Sequence, residues 1–251
     1  MKMKDRIIQN QKSVIVATDV DISNFSNLIK ATVDLPGISG YKLGFTIGLE
    51  GLCNMCSFIK EKIDSSDRKG MEPVIIYDHQ KAGNDIPEMG KSFAKTLKHA
   101  CVDAVILFPF AGPATQKQWI INCREEGLKV IVGGVMTHQQ FLVSEGGYIA
   151  DDAPERIFEL AVKLGVRHFV VPGTKINWVI KLRGILDNLL GPDEYCLYAP
   201  GFISQGGDIT ECGRAAGENW HAIIGSGIYG KPTMAEMREA AMTAVKKLVN
   251  S

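Results

Sequence analysis

Two acids and two lysines of this chain fall at or just after short apolar runs that are typical of buried strands. Half-buried charges must be paired, so alternating lysines and carboxylates keep one another ionised. Because such an array can transfer protons without a metal ion, we predict catalytic roles for the four groups. A set of ordinary surface salt bridges is the alternative. The four residues are Lys42, Asp78, Lys81 and Asp85.

Two glycine-rich stretches in the C-terminal part of the chain suggest a second kind of chemistry. Gln205-Gly206-Gly207 and Gly225-Ser226-Gly227 each follow a short apolar run. Small residues let backbone N–H groups approach an anion closely, and the loops after the last two strands are the usual phosphate site of a (β/α)8 barrel. We therefore predict phosphate binding here, with glycines that only serve tight turns as the alternative.

The elements that must position these residues repeat along the chain. Apolar β-branched runs alternate with amphipathic segments such as Leu52–Ile63, Pro154–Leu164 and Thr233–Val249. Asp151 and Asp152 are plausible caps of the second of these helices. A βα unit repeated eight times predicts an α/β fold, a single (β/α)8 TIM barrel of residues 1–251. The strands are predicted at Ser13–Thr18, Gly40–Leu43, Val74–Asp78, Ala104–Phe108, Lys129–Gly133, His168–Val171, Glu194–Ala199 and Ala222–Ile224.

An open, doubly wound sheet is the competing architecture. The stretch Gly225–Gly230 matches the G-x-G-x-x-G pattern of dinucleotide-binding proteins. That pattern belongs to the first βα turn, with an acidic residue about 20 positions later. Here it follows the eighth predicted strand, so we interpret it as a phosphate loop and not as a dinucleotide signal.

The composition excludes several classes of function. The 251 residues include 28 basic and 28 acidic side chains, so the formal net charge is zero and no nucleic-acid partner is expected. The segment Met1–Lys12 is polar, and no run approaches the length of a membrane span, so we expect a cytoplasmic protein. The six cysteines are expected to be reduced and mostly buried. Cys53-x-x-Cys56 is interpreted as structural, since neither a zinc site nor a redox motif surrounds it.

Three motifs together resemble the orotidine 5′-phosphate decarboxylase family. The likeness extends to Leu164-Gly165-Val166 and Pro172-Gly173-Thr174, and so covers nearly the whole chain. The three motifs are Asp78…Lys81…Asp85-Ile86-Pro87, Pro200-Gly201-x3-Gln205-Gly206-Gly207-Asp208 and Ala222-Ile223-Ile224-Gly225-Ser226-Gly227-Ile228-Tyr229.

This resemblance implies a role for each charged residue. Asp19, at the end of the first strand, would contact the ribose, and Lys42 would join the charged array. Asp78 would lie against the substrate carboxylate, and Lys81 would protonate the resulting carbanion. Asp85 would reach the active site of the other subunit, which implies a homodimer.

The resemblance also implies contacts to the base and to the phosphate. Thr137 would touch the pyrimidine, and Gln205 would bridge the base and the phosphate. His79 and His138 are possible further groups, either in acid–base or base-binding roles or as partners of a neighbouring carboxylate. The remaining predicted substrate contacts are Pro200, Gly206, Gly207, Gly225 and Ser226.

The chain differs from the family pattern at three points. The family reads D-x-K-x-x-D, whereas this chain reads D-x-x-K-x-x-x-D, and Gly83 and Asn84 could absorb the added length. Met89 stands where the family has a threonine. Ser226 takes the place of the arginine that binds the phosphate. Two lysines are candidates to supply that charge, Lys175 and Lys231.

The resemblance therefore implies decarboxylation of orotidine 5′-phosphate to UMP, with neither metal nor organic cofactor. The altered spacing and Ser226 leave two alternatives open. One is a magnesium-assisted aldolase or keto-acid decarboxylase that acts on a sugar phosphate. The other is a barrel that binds nucleotides without catalysis.

Overall fold

Eight parallel strands close into one barrel, in which each strand pairs with its neighbour in sequence and β8 pairs with β1. The computed structural model describes residues 6–66, 72–79, 82–202 and 206–249. The closed order confirms the predicted (β/α)8 fold and excludes the open sheet. The strands are β1 Lys12–Ala17, β2 Ile38–Leu43, β3 Val74–Tyr77, β4 Ala104–Leu107, β5 Lys129–Gly133, β6 His168–Val170, β7 Cys196–Pro200 and β8 Trp220–Ile224.

Helices cover the outside of this barrel. A 3-10 turn lies at Val143–Glu145, after β5. Two of the α-helices are short and lie directly after β2 and β8. The helices are α1 Ile22–Thr32, α2 Phe45–Leu49, α3 Leu52–Asp64, α4 Met89–His99, α5 Pro113–Glu125, α6 Ala153–Lys163, α7 Ile176–Leu190, α8 Ile209–Ala216, α9 Ser226–Tyr229 and α10 Met234–Val249.

The predicted elements are all present, with small differences at their ends. The seventh strand begins at Cys196 and not at Glu194, because Tyr195 directs its hydroxyl to Asp187 of α7 at 2.6 Å instead of continuing the sheet. The expected side-chain caps of α6 are wrong. Asp152 lies at the N-cap without capping the helix, and its carboxylate accepts a hydrogen bond from Arg156 at 3.2 Å. The carboxylate of Asp151 instead binds Ser144.

Strand side chains alternate between two cores. Ile15, Ile76 and Ile106 pack inside the barrel, whereas Val14 and Val105 pack against the helices. Because each parallel strand is buried on both faces, the strands lack the polar alternation of a half-exposed sheet. The inner core ends at the C-terminal mouth of the barrel, which is where ligands bind in this fold.

A layer of polar side chains closes the opposite end of the barrel. The Nδ1 atom of His221 lies 2.7 Å from the Ser13 hydroxyl, and the Tyr198 hydroxyl lies 3.2 Å from Nδ1 of His168. Burial lowers the pKa of His221 to about 3, with His168 and Arg6 adding to the effect. These two histidines are therefore structural. His99 lies exposed at the end of α4.

All six cysteines are free thiols, as predicted. Four of them are buried, and burial raises the pKa of Cys56, Cys123, Cys196 and Cys212 to about 12. Cys53 and Cys101 are exposed, which agrees with the expectation that most, but not all, of the cysteines are buried. None of the helices within the described ranges has the length and apolarity to span a membrane.

Candidate active site

A cavity of about 310 Å³ opens at the C-terminal mouth of the barrel. Its floor is apolar and consists of inward side chains of β1, β4, β6 and β8. Its rim combines charged groups from the ends of β1, β2 and β3 with small residues from the loops after β7 and β8. The floor residues are Ala17, Ile106, Val170 and Ile223.

Lys42 lies between two carboxylates inside this cavity. Its Nζ atom is 3.2 Å from Oδ2 of Asp78 and 3.3 Å from Oδ2 of Asp19. The lysine and Asp78 side chains are only 9% and 5% exposed, whereas Asp19 is 43% exposed. Three of the residues predicted at strand ends therefore meet at one point, with the lysine shared between an inner and an outer acid.

The charge of Lys42 is maintained by this pairing. Burial by itself disfavours the ammonium, but the nearby carboxylates of Asp78 and Asp19 outweigh burial and raise the pKa of Lys42 above its ordinary value of 10.5. Lys42 is therefore a cation at neutral pH. A buried charge of this kind is stable only while its partners remain ionised.

Backbone hydrogen bonds at the strand ends aim these side chains. The Thr18 N–H and hydroxyl both donate to the carbonyl of Lys42, at 2.9 and 3.2 Å, and the Asp78 N–H donates to the Leu43 carbonyl at 2.9 Å. Tyr41 and Leu43 pack outward in the helix-facing core, so alternation turns Lys42 inward. The barrel register thus brings together residues that lie far apart in sequence.

Gly44 makes room for the outer acid. A Cβ atom at this position would lie 2.2 Å from Oδ1 of Asp19. Any larger residue would push the Asp19 carboxylate away from its place beside Lys42. The glycine after β2 is therefore a requirement of the site and not only of the turn.

Several predicted substrate contacts line the same cavity. Thr137 lies at the rim after β5, where its carbonyl accepts a hydrogen bond from the Thr174 hydroxyl at 3.1 Å. Pro200 lines it at the end of β7. Gly225 and Ser226 line it at the end of β8 and the start of α9, next to β1. Gly206 and Gly207 lie outside the lining, and the Gly207 N–H donates to the Gly201 carbonyl at 3.1 Å.

Other predicted residues do not lie in this cavity. His79 points outward, and its Nδ1 atom makes a short hydrogen bond to the Tyr77 hydroxyl. His138 is exposed and packs edge-on against Phe141, 5.8 Å between ring centroids. Asp85 is exposed, and its Oδ1 atom accepts a hydrogen bond from the Ile86 N–H at 2.7 Å. Two further predicted site residues, Lys81 and Gln205, lie outside the described residues.

Neither lysine considered as a replacement for the missing arginine lines this cavity. Lys175 binds both carboxylate oxygens of Glu145, at 2.7 and 2.9 Å, in a separate depression beside Trp178. Lys231 is exposed after α9. Among the lining residues that the structure describes, Lys42 is the only cation. The expectation for Lys175 is therefore wrong, because Glu145 already neutralises its charge.

The sequence reasoning missed several lining residues. Phe45 and Thr46 follow β2 directly, and Tyr229 ends α9. Phe45 and Thr46 could have been predicted, since they follow the end of a strand, as Asp19 and Asp78 do. Tyr229 could not, because only the turn of the short helix directs its ring toward Gly225.

The fold and the site define a (β/α)8 barrel whose mouth holds an acid–lysine–acid group at the ends of β1, β2 and β3 and a glycine-serine loop after β8. A comparison with models of protein families found no match. Curated proteins and solved structures do match.

The orotidine 5′-phosphate decarboxylase of Methanosphaera stadtmanae is 26% identical over 246 residues, which cover 95% of this chain and 99% of that protein. The enzyme of the same name from Methanosarcina mazei is 29% identical over 155 residues, 62% of this chain and 64% of that protein. The crystal structure of the Methanocaldococcus jannaschii orotidine 5′-monophosphate decarboxylase complexed with the inhibitor BMP has a TM-score of 0.76 at 24% identity and covers 94% of this chain and 98% of that one.

The Pyrococcus horikoshii orotidine 5′-phosphate decarboxylase structure gives a TM-score of 0.73 at 24% identity, over 94% of this chain and 99% of that one. This chain is therefore related to the orotidine 5′-phosphate decarboxylases, and the resemblance predicted from its motifs is confirmed. The structural neighbours support the barrel fold.

Proposed function

We propose that this protein decarboxylates orotidine 5′-phosphate to UMP, without a metal or an organic cofactor. The observation that carries the proposal is the position of Lys42 between Asp19 and Asp78 in the mouth of the barrel. These three residues line the cavity at the ligand-binding end of the barrel, and the motif resemblance implies a role for each of them. The relatives that match over nearly their full length carry this activity in their names.

The buried acid is the centre of the proposed reaction. Asp78, nearly inaccessible to water and paired with Lys42, would face the carboxylate of the substrate. Repulsion between two carboxylates in a water-poor site disfavours the bound substrate, and this repulsion is relieved when CO2 leaves. The Lys42 cation would lower the free-energy cost of burying the Asp78 carboxylate in the cavity.

The bond changes balance without any co-reactant. The bond between the pyrimidine carbon and the carboxylate breaks, its electron pair stays on the carbon, and CO2 departs. The Lys81 ammonium would stabilise this developing charge and then donate a proton to the carbon. A proton from solvent restores the ammonium, so that orotidine 5′-phosphate and one proton yield UMP and CO2.

The ribose and phosphate would extend from this group across the cavity. Asp19, the more exposed acid, would bind the ribose hydroxyls. Gly225 and Ser226 would receive the phosphate through the backbone and the hydroxyl, with Gln205 from the preceding loop. Binding energy from these contacts holds the base in register with the reacting groups. A neutral serine in place of an arginine should weaken phosphate binding by about 1.5–3 kcal/mol.

A homodimer would complete the site. Asp85 is exposed and lies outside the cavity of its own chain, as expected of a residue that serves a partner. Exposed apolar side chains lie on the segments that follow β2 and β3, the strand that precedes Asp85. They are Phe45, Leu49, Ile86 and Met89.

The test is the loss of orotidine 5′-phosphate absorbance with purified protein, in the presence and absence of EDTA. The proposal expects turnover that EDTA leaves unchanged, and loss of turnover in Lys81→Ala with UMP binding retained. Turnover of a sugar phosphate that EDTA abolishes would favour the magnesium-dependent aldolase or keto-acid decarboxylase, the alternative that Ser226 suggests. Nucleotide binding without turnover of either substrate would favour a non-catalytic barrel.

A further inference from the structure

The segment after β3, residues 82–86, is bound to the next βα unit of the barrel. The Phe108 N–H donates to the Ala82 carbonyl at 3.0 Å, and the Phe110 N–H donates to Oδ1 of Asn84 at 2.8 Å. Gly83 has a φ of +86° and packs on Pro109, whose Cα atom would lie 3.2 Å from any added Cβ. The strand-end backbone after β4 therefore anchors the first half of the segment.

Two side chains of α5 anchor the second half. The Thr115 hydroxyl donates to the carbonyl of Asp85 at 2.8 Å, and Nε1 of Trp119 donates to the carbonyl of Ile86 at 3.0 Å. Both side chains are 4% exposed. Residues four apart lie on one face of a helix, so these two donors bind consecutive carbonyls of the segment.

Residues of α4 pack closely against the ring of Trp119. The ring packs on Phe93 with centroids 4.8 Å apart, and a Cβ atom at Gly90 would lie 2.8 Å from its Cδ1 atom. The glycine at the start of α4 therefore exists to admit the indole. Since a buried hydroxyl or indole N–H is costly without a partner, the two donors keep the segment in place.

These two hydrogen bonds restrict the position of Asp85. With the Asp85 and Ile86 carbonyls bound, the Asp85 Cα atom has a fixed position. The Ile86 N–H also binds Oδ1 of Asp85 at 2.7 Å, which fixes the direction of the carboxylate. An exposed acid on a long loop would otherwise sample many rotamers.

We propose that Thr115 and Trp119 are positioning residues that hold Asp85 for the reaction, an inference that rests on the proposed function. They act through the Asp85 and Ile86 carbonyls and do not touch the substrate. We call the hydrogen bonds from Thr115 and Trp119 to these two carbonyls the clamp. The clamp also compensates for the added length of the D-x-x-K-x-x-x-D motif, because a longer loop needs more anchors to hold its acid in one place.

The test compares Thr115→Val with Thr115→Ser and Trp119→Phe. Valine keeps the shape of threonine and removes the donor, so kcat should fall about tenfold, the effect of a small displacement of a reacting group. The Kd for UMP should stay within about twofold, because the phosphate contacts lie across the barrel mouth. Thr115→Ser, which restores the hydroxyl, should recover kcat, and Trp119→Phe should behave like Thr115→Val.

Thr32→Val is the matched control, since Thr32 is also buried in a helix, but its hydroxyl pairs with the Leu28 carbonyl at 2.8 Å and the Tyr41 hydroxyl at 2.9 Å and has no contact with residues 82–86. An unchanged kcat in Thr115→Val, or an equal fall in Thr115→Ser or Thr32→Val, would overturn the clamp. Amide exchange of residues 82–89 separates the two proposals. If the wild-type protein lacks turnover, the proposed function fails. Faster amide exchange in Thr115→Val, but not in Thr115→Ser or Thr32→Val, would then still support the clamp. Unchanged exchange in Thr115→Val would overturn it.

Discussion

At the scale of single residues, Lys42 matters most, because one cation neutralises two acids that face the same cavity. Replacing Lys42 by methionine leaves Asp78 buried without that partner charge. Breaking a buried pair in this way costs about 3–5 kcal/mol of unfolding free energy. It also removes the cation that pairs with Asp78 in the cavity, so we expect turnover to fall by at least about a hundredfold.

The pH dependence of this loss has a defined sign. The pKa of Lys42 is raised by its acids, so its stabilisation is fully present below the ordinary value of 10.5 and is lost only as pH rises through the higher folded value. Urea unfolding of Lys42→Met should therefore show a constant deficit from pH 6 to 9. Lys175→Met, which breaks an ion pair outside the cavity, is the control and should retain turnover. A deficit that disappears within that range would contradict the assignment.

Gly44 gives a second prediction for a single residue. The Cβ atom of Gly44→Ala would displace the half-exposed Asp19 carboxylate, which can move toward solvent at little cost. We expect the unfolding free energy to change by less than about 1 kcal/mol, while KM rises about tenfold through the lost ribose contact. Gly184→Ala on α7, where an added Cβ meets open space, is the control. An unchanged KM in Gly44→Ala would remove Asp19 from the substrate site.

At the scale of elements, the strand–loop–helix unit of β8 and α9 provides the phosphate end of the cavity. Ser226 begins the helix, so a longer cationic side chain there would reach the same end. Ser226→Arg should tighten UMP binding by about 1.5–3 kcal/mol through a charge-assisted contact. Titration calorimetry at two salt concentrations measures this. Ser226→Gln, similar in length and neutral, should gain much less, and an equal gain would show that charge is not the cause.

At the scale of the whole molecule, the barrel opens at one end into the candidate active-site cavity and is closed at the other by a buried polar layer. His221 in this layer bonds to Ser13 through Nδ1, and its Nε2 atom lacks a partner among the described residues. Tyr198 packs on its ring, and the electrostatic effects of His168 and Arg6 also lower its pKa. Protonation of His221 therefore opposes folding.

This layer predicts loss of stability in mild acid. The folded pKa of His221 is lowered to about 3 from 6.5, so its neutral form stabilises the fold above pH 6.5, and that contribution is lost as pH falls toward 3. Between pH 6.5 and 5, wild-type protein should lose roughly 1.5–2 kcal/mol of unfolding free energy from this group. His221→Asn should lack this loss, and the exposed variant His99→Asn should retain it. Equal slopes in wild type and His221→Asn would refute the prediction.

The amino-acid sequence by itself determined the barrel and part of the site. Strands buried on both faces must be apolar throughout, so β3 and β5 were recognisable without neighbours. Parallel strands of a barrel end at the same rim, so Asp19, Lys42 and Asp78 could be expected to meet there.

Only the tertiary structure decided which way the other side chains face. His79 binds Tyr77 on the outside of the barrel, Glu145 neutralises Lys175, and Thr115 binds the Asp85 carbonyl. Each of the last two pairs joins residues 30 positions apart in the chain. Such contacts depend on how neighbouring βα units pack, and a local pattern of residue types carries no information about that packing.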